Sequence, residues 1–152
     1  GRGWNVRHKK QDICLGFEKL PLDLADGKRE SVTVPLVVTE VKTNLDINKL
    51  SGLNFSAESL KRSFPQSLYL IATETVDFSL DDNYVSGSVD EIYVLRKQLR
   101  SRARRSLGPL QPDVFEMLIE DLVRSVEIST TTLGHVYDRL ETGKLIGGHH
   151  DG

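Results

Sequence analysis

Val32-Thr33-Val34-Pro35-Leu36-Val37-Val38-Thr39-Glu40-Val41-Lys42 is apolar and β-branched almost without interruption until its last three residues. Such a run fits a strand covered on both faces, and a strand is predicted over Val32 to Val41, with Pro35 limiting its pairing early on. The two-residue period of a strand puts Glu40 and Lys42 on one face and Val41 on the other. A hydrophobic strand that ends in two opposite charges either emerges into solvent there or carries a site.

The residues upstream favour a site. From Asp12 to Phe17, Ile13, Leu15 and Phe17 alternate with Cys14 and Gly16, which predicts a first strand opened by Asp12. Pro21 to Ser31, with Pro21, Asp23, Asp26 and Gly27, reads as a turn or long hairpin connection whose tip is Asp26-Gly27. If the two strands pair antiparallel, the start of one lies opposite the end of the other. Asp12 and Glu40, 28 residues apart, could then share a cation. Two carboxylates completed by water and phosphate oxygens make the oxygen-rich shell that Mg2+ prefers. Lys42 would stand beside an attacking water, orienting it or stabilising charge on a phosphate. Asp23 and Asp26 are rival choices for the first acid.

Downstream, Asn44 and Asp46 offer capping side chains. Ile47, Leu50, Leu53, Ala57, Leu60 and Phe64 recur at helical steps, predicting a helix over Ile47 to Phe64 that Pro65 ends. Ser67 to Thr73 is a compact apolar strand. A polar loop through Asp81, Asp82, Asn83 and Gly87 leads to a further short strand at Ile92 to Leu95. An amphipathic helix begun by Asp113 after Pro112 would carry Val114, Met117, Leu118, Asp121, Leu122 and Ser125 on one face. Leu133 to Ile146 is expected to be helical at its start. The order strand, strand, helix, strand, strand, helix implies a mixed α/β or α+β sheet domain.

At 152 residues the chain has the size of one domain. Residues 1–152 are read as a single unit with its core over about 8–100, a basic segment at 96–105 and a C-terminal helical region at 112–146. Hydrophobic residues at 38% and charged residues at 28% exclude a disordered chain. No apolar run approaches the roughly 20 residues that span a bilayer, so no membrane role and a cytoplasmic location are expected. The net charge of −2 hides a segregation: Arg96, Lys97, Arg100, Arg102, Arg104 and Arg105 are concentrated in one band, leaving 14 basic against 22 acidic residues elsewhere. An acidic body with one basic band suits a polyanion held along one surface.

Together these residues resemble the PD-(D/E)XK nuclease superfamily, whose motif places an acid on one strand and Glu-x-Lys on the next. Here the triplet is Glu40-Val41-Lys42 and the acid is Asp12 in Lys10-Gln11-Asp12-Ile13, with Gln11 where the superfamily usually has proline. Further stretches are similar to type II restriction endonucleases that cut asymmetric sites with two non-identical subunits or active sites. These are Thr39 to Asp46, Ser56 to Pro65, Tyr69 to Glu74 and Asp90 to Lys97. The resemblance covers about residues 8 to 100. It implies a restriction-endonuclease-like core, a mixed sheet of about four strands flanked by helices, and Mg2+-dependent hydrolysis of double-stranded DNA. Asp12, Glu40 and Lys42 are the implied catalytic residues, Asp12 and Glu40 the metal ligands, and a homodimer or a heterodimer with a second nuclease subunit the implied assembly. The superfamily usually places a helix and a strand before the first acid, whereas 11 residues precede Asp12. Either the chain is an excised fragment or a partner supplies that layer.

Three other readings are open: an inactive DNA-binding module of the same fold, a structure-specific repair or recombination nuclease, and a protein-interaction domain without a nucleic-acid role. Cys14 is expected to be buried filler. Lys49, Lys61 and Arg62 are expected to decorate a solvated helix, and Glu74 to end its strand in solvent. His8, His135, His149 and His150 have no metal-ligand spacing, and Trp4 is expected at the core edge.

Overall fold

The structure is a computed structural model that describes residues 11–79 and 87–142. Trp4, His8, His149, His150 and the Asp81 to Asn83 loop lie outside them, as does the side chain of His135. Four strands, β1 (Ile13–Asp23), β2 (Arg29–Asp46), β3 (Leu68–Asp77) and β4 (Glu91–Leu99), form one sheet in the order β1-β2-β3-β4. β1 and β2 pair antiparallel, while β2, β3 and β4 run parallel. Helices α1 (Ile47–Ser63), α2 (Arg100–Ala103) and α3 (Pro112–Thr142) complete the α+β architecture that the order of apolar segments predicts.

The first two strands are longer than their apolar runs. Pro21 to Asp23 and Arg29 to Ser31 pair in register instead of forming an open connection. The chain reverses tightly at Asp26 and Gly27, where Gly27 takes a φ of +83° that a side chain would disfavour. Pro35, lacking an N–H, lies opposite the register shifts at Gly16, and β2 pairs with β3 only from Val37 onward.

Paired residues share a sheet face, so the register assigns each side chain. On one face Val38, Tyr69 and Ile71 pack with Leu50 and Ala57 of α1, with Ile92 and Val94 alongside. On the other, Val37, Leu70, Tyr93 and Leu95 pack with Val114 of α3, joined by Leu15, Leu118 and Leu122. Each such fully buried aliphatic contributes about 1.5–3 kcal/mol. The helix α1 starts at Asp46, whose Oδ1 accepts from the Lys49 N–H at 2.9 Å. Lys61 and Arg62 complement the dipole of its last turn. Ile47, expected on the buried stripe, is instead exposed, because the helix turns its first residue away from the sheet.

The helix α3 is one continuous element over Pro112–Thr142. It begins at Pro112, one residue before the expected start, since proline at a first helical position sacrifices no hydrogen bond. Val114, Leu118 and Leu122 face the sheet and Met117 does not. Asp121 accepts from the Tyr93 hydroxyl, tying the helix to β4. Burial and the Asp121 carboxylate both push the Tyr93 hydroxyl's pKa up. Cys14 is exposed rather than buried because it lies on β1, an edge strand.

Candidate active site

β1 starts only at Ile13, paired with Thr39, so β2 runs on past its neighbour. The N–H of Val41 would be left open there. The side chain of Asp12 fills the gap, its Oδ2 accepting from Val41 N at 2.8 Å. This bond sets Asp12 on the edge of β2, next to the two charges that the strand period puts on one face. Lys42 Nζ lies 2.9 Å from Glu40 Oε2 and 3.4 Å from Asp12 Oδ2, so one ammonium joins both carboxylates. Val41 faces away and is exposed.

Burial grades the three. Glu40 is 8% exposed, on the sheet face that also carries Val38, Tyr69 and Ile71, while the Lys42 and Asp12 side chains open progressively toward solvent. The Val41 N–H holds the Asp12 carboxyl below the usual aspartate value; burial opposes it as the next-largest effect, and the Lys42 charge adds to the lowering. The Glu40 hydrogen bond holds the Lys42 ammonium above the usual lysine value, again against burial. Lys42 is therefore a committed cation at neutral pH. It can donate a hydrogen bond to an oxygen or stabilise negative charge, but it is poorly suited to accept a proton.

The rival acids lie at the other end of the hairpin. Asp23 pairs with Arg29 at 2.9 Å and Asp26 with Lys28 at 3.2 Å. Along β2, Arg29 and Glu40 are separated by 11 residues, about 35 Å of strand. Glu74, on β3, accepts from Arg96 Nε at 2.7 Å instead of facing solvent. Lys49, Lys61 and Arg62 each bond within the chain, to Asp46, Asp90 and Glu58.

The basic band divides in two. Arg96 is held by Glu74 and the Gly108 carbonyl, Lys97 by Asp113, and Arg100 lies 3.9 Å from Asp77. A bulge in β4 causes this: Thr73 pairs with Val94 but Thr75 with Gln98, and Lys97 takes a φ of 49°. Arg102, Arg104 and Arg105 are exposed and make no ion pair among the described residues. They follow the carboxyl end of the parallel strands, where open α/β sheets place their ligands.

Sequence reasoning missed Tyr69 and Asp90. Asp90 accepts from Tyr69 N at 2.7 Å and from Lys61 Nζ at 2.5 Å, pinning α1 to the starts of β3 and β4. Tyr69 is fully buried on the Glu40 face. Both roles depend on the pairing register, which an isolated strand pattern does not contain.

Among the described residues no group of three or more His, Cys, Asp or Glu could enclose a metal. Asp12 and Glu40 nevertheless fit magnesium, which needs only one or two protein carboxylates and keeps its remaining waters. The Lys42 ammonium between them is a positive charge already placed where a cation would be held.

The Bpu10I restriction endonuclease family matches residues 1–108. The chain belongs to that family. Among solved structures, a chain of the native BbvCI A2B2 tetramer is 47% identical, with a TM-score of 0.69. The match covers 88% of this chain and 51% of that one, so this chain spans about half its length. The restriction-endonuclease-like fold expected from the resemblance is thus the fold observed. Comparison with curated protein sequences finds no match. No helix among the described residues is long and apolar enough to cross a membrane.

Proposed function

We propose that the chain is the catalytic part or a subunit of a type II restriction endonuclease of the PD-(D/E)XK kind, hydrolysing phosphodiester bonds of double-stranded DNA with magnesium. The observation that carries this reading is the convergence of the Asp12 and Glu40 carboxylates on the Lys42 ammonium. Family membership supplies the substrate class.

Asp12 and Glu40 would hold the metal. The chemistry a magnesium ion would supply there is activation of a water and neutralisation of charge on the phosphate. Glu40, fixed by burial, sets the position of the site, and Asp12, anchored to the Val41 N–H, completes it from the solvent side. The Lys42 ammonium donates to the attacked phosphate or its incoming water as negative charge develops. Arg102, Arg104 and Arg105 are free to meet backbone phosphates, whereas Arg96, Lys97 and Arg100 each face an acid within the chain, Arg96 the most buried of the three. The A2B2 composition of the BbvCI structure supports assembly with a second nuclease subunit, which suits the need to cut two strands.

Incubating plasmid DNA with the protein in magnesium and in chelator, alongside Glu40→Ala and Lys42→Ala, tests the reading. Magnesium-dependent cleavage lost in both variants is the expected result. Cleavage retained by Lys42→Ala would exclude its role. Salt-sensitive DNA binding without any cleavage would instead favour an inactive binding module.

A further inference from the structure

Tyr69 lies on the same sheet face as Glu40, one pairing step away: Val38 is opposite Tyr69 and Glu40 is opposite Ile71. Its side chain is fully buried, and its hydroxyl has no hydrogen-bond partner among the described residues. A buried hydroxyl left unbonded is destabilising, whereas phenylalanine would fill the same space without that penalty. The Glu40 carboxylate and the Ser56 hydroxyl are the polar groups that act on it, though neither bonds it; the Ser56 hydroxyl donates instead to the Gly52 carbonyl at 3.0 Å. Burial first, and then the Glu40 charge, push its pKa up to about 12, so it keeps its proton throughout the neutral range.

Glu40 has a donor at present, the Lys42 ammonium at 2.9 Å. A divalent cation held by Asp12 and Glu40 would repel that ammonium across a few ångströms. Glu40 is 8% exposed, so water has little access to replace the lost hydrogen bond. We propose that Tyr69 is a positioning residue whose hydroxyl donates to the Glu40 carboxylate when Lys42 releases it to a divalent cation. The inference rests on the metal reading proposed above and assigns Glu40 an outer partner of the kind that orients ligating carboxylates elsewhere.

The test is magnesium titration of the whole chain, followed by thermal melting, in the parent, Tyr69→Phe, Ser56→Ala and Glu40→Ala. Without metal, Tyr69→Phe is expected to melt at or above the parental temperature, since it removes an unbonded hydroxyl. Its magnesium affinity is expected to fall about tenfold, at the lower edge of what loss of an outer partner costs. Ser56→Ala, which disturbs the same neighbourhood without touching the proposed bond, should stay within about twofold of the parent. Parental affinity in Tyr69→Phe, with binding still abolished by Glu40→Ala, overturns this inference and leaves the metal reading standing. An equal loss in Ser56→Ala overturns it too, as a packing effect. Absence of magnesium binding in the parent overturns both.

Discussion

The β1–β2 hairpin carries an ion pair at each end, and the two are alike in chemistry and length but not in setting. At the turn, Arg29 meets Asp23 at 2.9 Å with side chains 73% and 75% exposed. At the other end, Lys42 meets Glu40 at 2.9 Å with side chains 30% and 10% exposed. A pair in open water is screened and contributes little. A pair set into the sheet has lost much of its hydration, so each partner depends on the other and on Asp12. Distance does not separate a decoration from a site here; burial and a third converging group do.

The largest expected effect breaks the comparison directly. Lys42→Ala should lower the rate of magnesium-dependent plasmid cleavage on the order of 10²–10³-fold, the usual loss for one donor to a developing oxyanion. Arg29→Ala should leave it within about twofold. Equal losses would mean that the hairpin as a whole, rather than its sheet end, supports cleavage.

Much of this contrast is legible in the amino-acid sequence. The period of β2 separates Glu40 and Lys42 from Val41, and the alternation in Ile13 to Leu15 marks a second strand, so the pairing that unites Asp12 with Glu40 follows from turn chemistry at Asp26-Gly27. Strand length is harder to read, because Pro21 to Asp23 and Arg29 to Ser31 are held by backbone ladder bonds that no apolar pattern announces. The basic band misleads for a related reason. Six cations in ten residues look like one surface, but a β4 bulge and the distant acids Glu74, Asp77 and Asp113 divide them.

That division predicts the next effect. Replacing Arg102, Arg104 and Arg105 together by alanine should lower DNA affinity and flatten the dependence of log affinity on log salt by about 0.9 for each phosphate that is no longer neutralised. Arg96→Ala should leave the salt slope unchanged and lower stability instead, because Glu74 and the Gly108 carbonyl lose their shared partner. Fluorescence anisotropy across a salt series separates the two. A slope change in Arg96→Ala alone would reverse the assignment.

The smallest effects concern stability and sharpen the opening contrast. Lys42→Ala leaves the Glu40 carboxylate 8% exposed without its ammonium and should cost about 1–2 kcal/mol in urea denaturation at pH 7, whereas Asp23→Ala should cost under about 0.5 kcal/mol. Acid titration then isolates the third member. Folding lowers the Asp12 pKa below its ordinary 3.8, chiefly through the Val41 N–H, so in acid the unfolded chain binds the proton more readily than the folded one. The Asp12 contribution is thus fully present above that ordinary value and is lost as pH falls through the lower folded one. Asp12→Asn keeps an acceptor for Val41 but removes the charge. The stability gap between it and the parent should be constant at neutral pH and close below about pH 4. No gap at any pH would show that Asp12 acts through its backbone hydrogen bond alone, and that the ammonium between the carboxylates is held by Glu40.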